Sequence, residues 1–226
     1  HIPFFLPMLM NIRGFDGAEE IESFLGAGAP LTDPFLLKDM DRAVERITRA
    51  IDAMEKIAVY GDYDADGVTS TSMVYSYLET RGADVLYYIP QREGEGYGMN
   101  IGAVEHLASL GVSLIVTVDN GISSVREVER ARELGVDVVI TDHHRPQETL
   151  PAAVAVIDAY RKDDESPYKD FSGAGIAFKL LMALEEGAGE LDDLIEAYGD
   201  LAAIGTIGDV VPLTGENRML VSAGLR

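Results

Sequence analysis

The sequence predicts an α/β fold: a five-stranded, mainly parallel sheet flanked by helices, followed by a helix-rich C-terminal segment. Two features predict it. Short β-branched runs alternate with segments of helical apolar spacing. The stretches joining successive runs are also long enough for crossovers, which parallel pairing requires and which cover a sheet on both faces.

The opening "IPFFLPMLM" is apolar but short, contains two prolines and has neither a basic flank nor an Ala-x-Ala-like cleavage site, so it does not read as a signal peptide. No later run has the length of a membrane span. Residues 34–55 carry Leu37, Met40, Val44, Ile47, Ile51 and Met54 at helical spacing, predicting an amphipathic helix begun near Asp33-Pro34. Strands are expected at 57–61 (IAVYG), 85–90 (VLYYIP), 114–119 (LIVTVD), 137–141 (DVVIT) and 154–158 (VAVID). Between the third and fourth, residues 123–135 read as a helix marked at both ends, with Ser124 and Glu127 as a capping box and Gly135 past the last turn. A polar loop, 161–170, leads into helical segments beginning "SGAGIAFKLL" and "LDDLIEAYGDL". The expected division is an N-terminal helical region, 1–55, packed on a core domain, 56–226. With no initiator Met and no closing polar tail, the chain is expected to be a piece of a longer protein.

Of the 226 residues, 47% are hydrophobic, which supplies a real core and excludes a disordered chain. The formal charge of −21 repels polyanions, so a nucleic-acid function has to work through a local site where metal ions or Arg/Lys reverse the field. The absence of cysteine excludes a disulfide framework and a thiolate metal site, and permits a reducing, cytoplasmic location.

The carboxylates fall at one edge. Asp62, Asp64 and Asp66 follow the first strand, Asp119 ends the third, Asp142, His143 and His144 follow the fourth, and Asp158 ends the fifth. In a parallel sheet this is the ligand-binding edge. Carboxylates converging there repel by roughly 4 kcal/mol per pair at 4 Å and an effective dielectric near 20, and a divalent cation relieves that repulsion. Mixed Asp and His ligation suits Mn²⁺ or Mg²⁺. The same acids taken singly are solvated loop ends. A calcium loop fits poorly: with Asp62 as the first position, Gly67 falls at the sixth, but Met73 stands at the twelfth, where a bidentate Glu is required.

The strings "VYGDYDADGVT", "TVDNGIS", "TDHH" and "GTIGDVVPL", in that order, resemble the DHH phosphoesterase superfamily. Within it, "DPFLLKDMDRAVERI", "IPQREGEGYGMN" and "FSGAGIAFKL" resemble the RecJ family of 5′-to-3′ exonucleases specific for single-stranded DNA, which act in DNA repair and recombination. The resemblance implies hydrolysis of phosphodiesters at two Mn²⁺ or Mg²⁺ ions, with single-stranded nucleic acid as partner and no membrane. By motif, Asp64 and Asp66 are implied metal ligands with Asp62 beside them. Asp119 bridges both ions, His143 is a ligand and Asp209 closes the set. His144 faces the scissile phosphate, and Asp142 orients a neighbouring imidazole. Arg92 is the candidate for gripping a phosphate; pairing with a Glu of "REGEG" is its plain alternative. Gly173 and Gly175 either offer backbone N–H groups to an anion or form a tight helix junction. His106 reads as a helix-surface residue.

Two departures stand out. Asp158-Ala159 occupies the place where RecJ proteins usually carry Asn-Pro, and the second lobe and oligonucleotide-binding fold of that family are not in this chain. The chain is therefore expected to bind manganese but to degrade DNA slowly or not at all. Alternatives are a DHH phosphodiesterase of short oligonucleotides or cyclic dinucleotides, and a non-catalytic Cdc45-like scaffold, which would lack metal ligands. Inorganic pyrophosphatase fits less well, since its first motif is expected to begin with His.

Overall fold

The β-branched runs pair side by side in a single sheet. The computed structural model describes residues 5–226 apart from 16, 27, 28, 93, 95, 97 and 186–190. Strands β1 (Lys56–Tyr60), β2 (Asp84–Tyr88), β3 (Val112–Val118), β4 (Asp137–Thr141) and β5 (Ala155–Ile157) lie in the order β2-β1-β3-β4-β5. Every neighbouring pair is parallel. The chain runs outward from β1 to β2 and then returns to the other side of β1 for β3. The crevice between β1 and β3 is thus the topological switch point, where open α/β sheets take their ligands.

Alternation along the strands divides the core in two. Ile57, Val59, Leu114, Val116, Val139 and Ile157 face one side, and Ala58, Tyr60, Ile115, Val138, Ile140 and Val156 face the other. The first side is covered by helices α3 (Met40–Asp52), α4 (Ala65–Thr80), α7 (Gly173–Leu184) and α8 (Leu191–Gly208). The second is covered by α5 (Ile101–Ser109) and α6 (Val125–Glu133). Two short helices, α1 (Phe5–Ile12) and α2 (Ala18–Leu25), precede this body, and α9 (Gly215–Gly224) packs on α8. No helix among the described residues is long and apolar enough to cross a membrane.

One expected helix start and one expected cap are corrected. Asp33 caps only a 3-10 turn, Pro34–Leu36, by accepting the Phe35 N–H at 2.9 Å. Helix α3 begins at Met40, because Asp39 adopts left-handed φ +64° and its carboxylate is drawn to Arg161 at 2.7 Å. Helix α6 does begin after Ser124, but the Ser124 side chain makes no capping bond, so the capping box does not form. At its far end Gly135, at φ +75°, does follow the last turn.

Candidate metal centre

Strands β1, β3 and β4 deliver their polar residues to the switch point, and Asp209 reaches it from the end of α8. At the end of β1 the chain passes Asp62 and enters α4 directly, so Asp64 becomes the N-cap and Asp66 lies in the first turn. The Asp64 carboxylate accepts the Gly67 N–H at 2.9 Å. At the end of β3, Asp119 takes a left-handed φ of +61°, an uncommon conformation that turns the chain sharply at the crevice. Asn120 fixes this corner by donating to the carbonyls of Tyr60 and Val118 at 3.2 and 2.9 Å.

Ligand atoms of Asp62, Asp64 and Asp119 lie within 4.8 Å of one another, and so do those of Asp66, His143 and Asp209, and those of Asp119, His143 and His144. The three groups overlap: Asp119 and His143 each belong to two. His143 Nε2 lies 3.1 Å from Asp119 Oδ1 and 3.8 Å from Asp66 Oδ2, and its Nδ1 lies 3.7 Å from Asp209 Oδ2. Asp62 is buried, and neither of its carboxylate oxygens has a hydrogen-bond partner of normal geometry. Buried oxygens of that kind are costly unless a cation meets them. The donor set, hard oxygens with imidazole, fits Mn²⁺ or Mg²⁺.

Residues 56–206 match the DHH family, N-terminal domain. The chain belongs to the DHH family. The single-stranded-DNA-specific exonuclease RecJ of Bacillus subtilis (strain 168) is 48% identical over 226 residues, covering 100% of this chain but 28% of that protein. A crystal structure of exonuclease RecJ bound to manganese superposes with a TM-score of 0.76 at 42% identity, over 87% of this chain and 49% of that one. RecJ of Thermus thermophilus in complex with Mn²⁺ gives 0.74 at 35% identity, over 92% and 31%. This DHH domain thus spans about a quarter to a half of the length of the relatives it matches.

The electrostatics of the DHH site follow from crowding acids in a buried crevice. Burial first, then repulsion from Asp142 and Asp64, pushes Asp119 up to about 9. Burial and the nearby Asp119 also raise Asp66. Asp66 is partly compensated: its carboxylate accepts the N–H groups of Gly173 and Ala174 at 2.6 and 2.8 Å. The anion at the start of α7 is therefore the protein's own Asp66. Gly173 is required there, since a Cβ would stand 2.5 Å from the Asp119 Cβ. Gly175 instead donates to the Ser172 cap at 3.0 Å.

Asp142 lies outside the overlapping groups and serves His144: its Oδ1 lies 2.7 Å from His144 Nδ1. It also accepts backbone N–H groups of Ile122, His143 and His144 at 2.9, 2.7 and 3.1 Å. Against its burial, these bonds hold Asp142 below the usual carboxylate range, and the Asp142 bond raises His144 to about 9. Arg92 lies in the loop after β2, its guanidinium 5.4 Å from the Tyr63 ring centroid. The alternative pairing with Glu93 or Glu95 lies outside the described residues. His106 sits exposed on α5, as its sequence context suggests.

Sequence reasoning did not assign Asp158 to the site. It is fully buried, with Oδ1 accepting the Tyr160 N–H at 2.7 Å and Oδ2 lacking a partner, and burial pushes it up to about 7. Its position at a strand end, and the Asp158-Ala159 departure from Asn-Pro, were the signals.

Proposed function

We propose that this chain carries the catalytic centre of a 5′-to-3′ exonuclease that hydrolyses phosphodiesters of single-stranded DNA, in DNA repair and recombination. The observation that carries the reading is the overlap of three ligand groups through Asp119 and His143 at the switch point of the sheet. The matched relatives, named as single-stranded-DNA-specific exonucleases and solved with manganese, support it. Asp62, Asp64, Asp66, Asp119, His143 and Asp209 would hold two Mn²⁺ or Mg²⁺ ions. Bound there, such ions supply Lewis acidity toward the phosphate and a water-derived nucleophile at neutral pH.

The chain's own residues do the rest. Asp142 fixes the orientation and proton of His144, so at neutral pH His144 presents a charged donor to the phosphate or to the departing oxygen. Arg92 grips a phosphate at the rim of a cleft that is otherwise acidic. Residues 1–55 act as a helical buttress for the domain at 56–226. The contacts of α3 with α7, and of Thr32 with Glu216 at 2.7 Å, support that packing.

Single-turnover hydrolysis of an end-labelled single strand in manganese tests the reading. Slow release of mononucleotides from the 5′ end is expected of this chain at enzyme excess, with His144→Ala slowing it further by about 10²- to 10⁴-fold, the range for losing a general acid, while manganese still binds. Release that is unchanged in Asp119→Asn, or that starts from the 3′ end, contradicts it.

A further inference from the structure

Arg145 follows His144 directly at the rim of the metal centre, and it is held in place. Its guanidinium carbon lies 3.7 Å from the ring centroid of Tyr160. Tyr160 is fixed twice: its hydroxyl donates to Asp170 Oδ1 at 2.5 Å, and its backbone N–H donates to the buried Asp158 at 2.7 Å. Asp158 in turn follows β5 beside Asp142, whose own N–H donates to the Ile157 carbonyl at 3.0 Å. The platform under Arg145 is therefore tied to the sheet edge that carries the site.

The charge of Arg145 is not spent within the protein. Among the described residues it forms no ion pair, whereas Arg42, Arg46, Arg81, Arg130 and Arg161 each pair with a carboxylate in this acidic chain. Stacking uses the face of a guanidinium and leaves its N–H edge for an oxyanion, and holding it in one orientation lowers the entropy lost on binding. Arg92 over Tyr63 repeats the arrangement after β1 and β2.

We propose that Arg145, seated on Tyr160, is a phosphate-binding residue that grips the strand at a second point, beside β4 and β5. The proposal rests on the nucleic-acid reading above and adds a contact to it.

The salt dependence of strand binding tests this. A short phosphorothioate single strand, which keeps the backbone charge and resists cleavage, is titrated with the manganese-loaded chain at several KCl concentrations by fluorescence anisotropy. Arg145→Ala is expected to weaken binding about tenfold at low salt and to flatten log K against log[KCl] by about 0.7, the signature of one lost single-strand phosphate contact. Tyr160→Leu, which keeps the charge and removes the platform, is expected to weaken binding less. Arg132→Ala makes the same charge change in the last turn of α6, at the opposite sheet edge, and is expected to leave the slope unchanged. A parental slope in Arg145→Ala, with Arg92→Ala reducing its own, overturns this proposal and leaves the exonuclease reading standing. An equal loss in Arg132→Ala reduces the effect to net charge and also overturns it. Failure of the parent chain to bind either manganese or the strand overturns both readings.

Discussion

Asp119 and Gly173 meet so closely that each dictates the other. The left-handed turn at Asp119 brings its carboxylate to the crevice, and the start of α7 approaches to where only a hydrogen fits. Gly173→Ala should therefore destabilise the chain by about 1–3 kcal/mol, as overpacking does, and lower manganese affinity by displacing Asp119. Denaturant unfolding and calorimetry on the same variant check both; a stability loss with unchanged affinity would confine Gly173 to packing. Asp62, Asp119 and Asp142 were legible in the sequence, because strand ends follow from periodicity and each of them follows one; Asp209, which comes after helix α8, was legible only through the resemblance of "GTIGDVV". Their partners were not. Asp66 takes its hydrogen bonds from Gly173 and Ala174, more than a hundred residues away, and nothing local to "DADG" announces that. Likewise the adjacent imidazoles diverge: His144 turns to Asp142 and His143 to Asp119, a choice made by the fold.

Helix α7 links the site to the rest of the molecule. Its N-terminus serves Asp66, and two turns later its buried Lys179 pairs with Glu216 of α9 at 2.8 Å and donates to the Thr32 carbonyl. The pair is almost wholly buried, so each charge depends on the other, and burial lowers the Lys179 pKa even so. Lys179→Met should cost about 3–5 kcal/mol by leaving Glu216 buried without its cation, and a Lys179→Met/Glu216→Leu double variant should recover much of that. Urea unfolding of the three chains decides it; a double variant no better than the single would show that the pair itself is what stabilises. At this scale the strands were read to within two residues. The start of α3 was not, because Asp39 turns toward Arg161 and Lys38 donates to Asp164 at 2.8 Å, contacts 122 and 126 residues distant. The Ser124–Glu127 pattern matched a capping box in spacing, but a pattern does not supply the backbone angles that a cap needs.

The whole molecule carries a charge of −21 and concentrates part of it in one crevice. Asp119 and Asp158, raised to about 9 and about 7, hold protons in the folded state that an unfolded carboxylate, near 3.9, has already lost. Their effect on stability therefore falls as pH rises from about 4 through those values. His144, raised to about 9, acts in the same direction: its contribution is complete below its unfolded value of about 6.5 and is lost as pH rises through about 9. Asp142, held low, matters only in acid. Metal-free chain should thus lose stability between pH 5 and about 9, and saturating manganese should flatten that dependence by taking the place of the protons. Thermal unfolding across this range, with and without manganese, checks it; stability that rises with pH in the metal-free chain would contradict the picture of buried, crowded carboxylates.

A calorimetric manganese titration of the chain beside Asp119→Ala reads whether these carboxylates and imidazoles converge to hold two divalent ions. The expected result is two ions bound per chain, with the stoichiometry halved or abolished in Asp119→Ala. No binding by the parent chain, or binding that Asp119→Ala leaves unchanged, would contradict it.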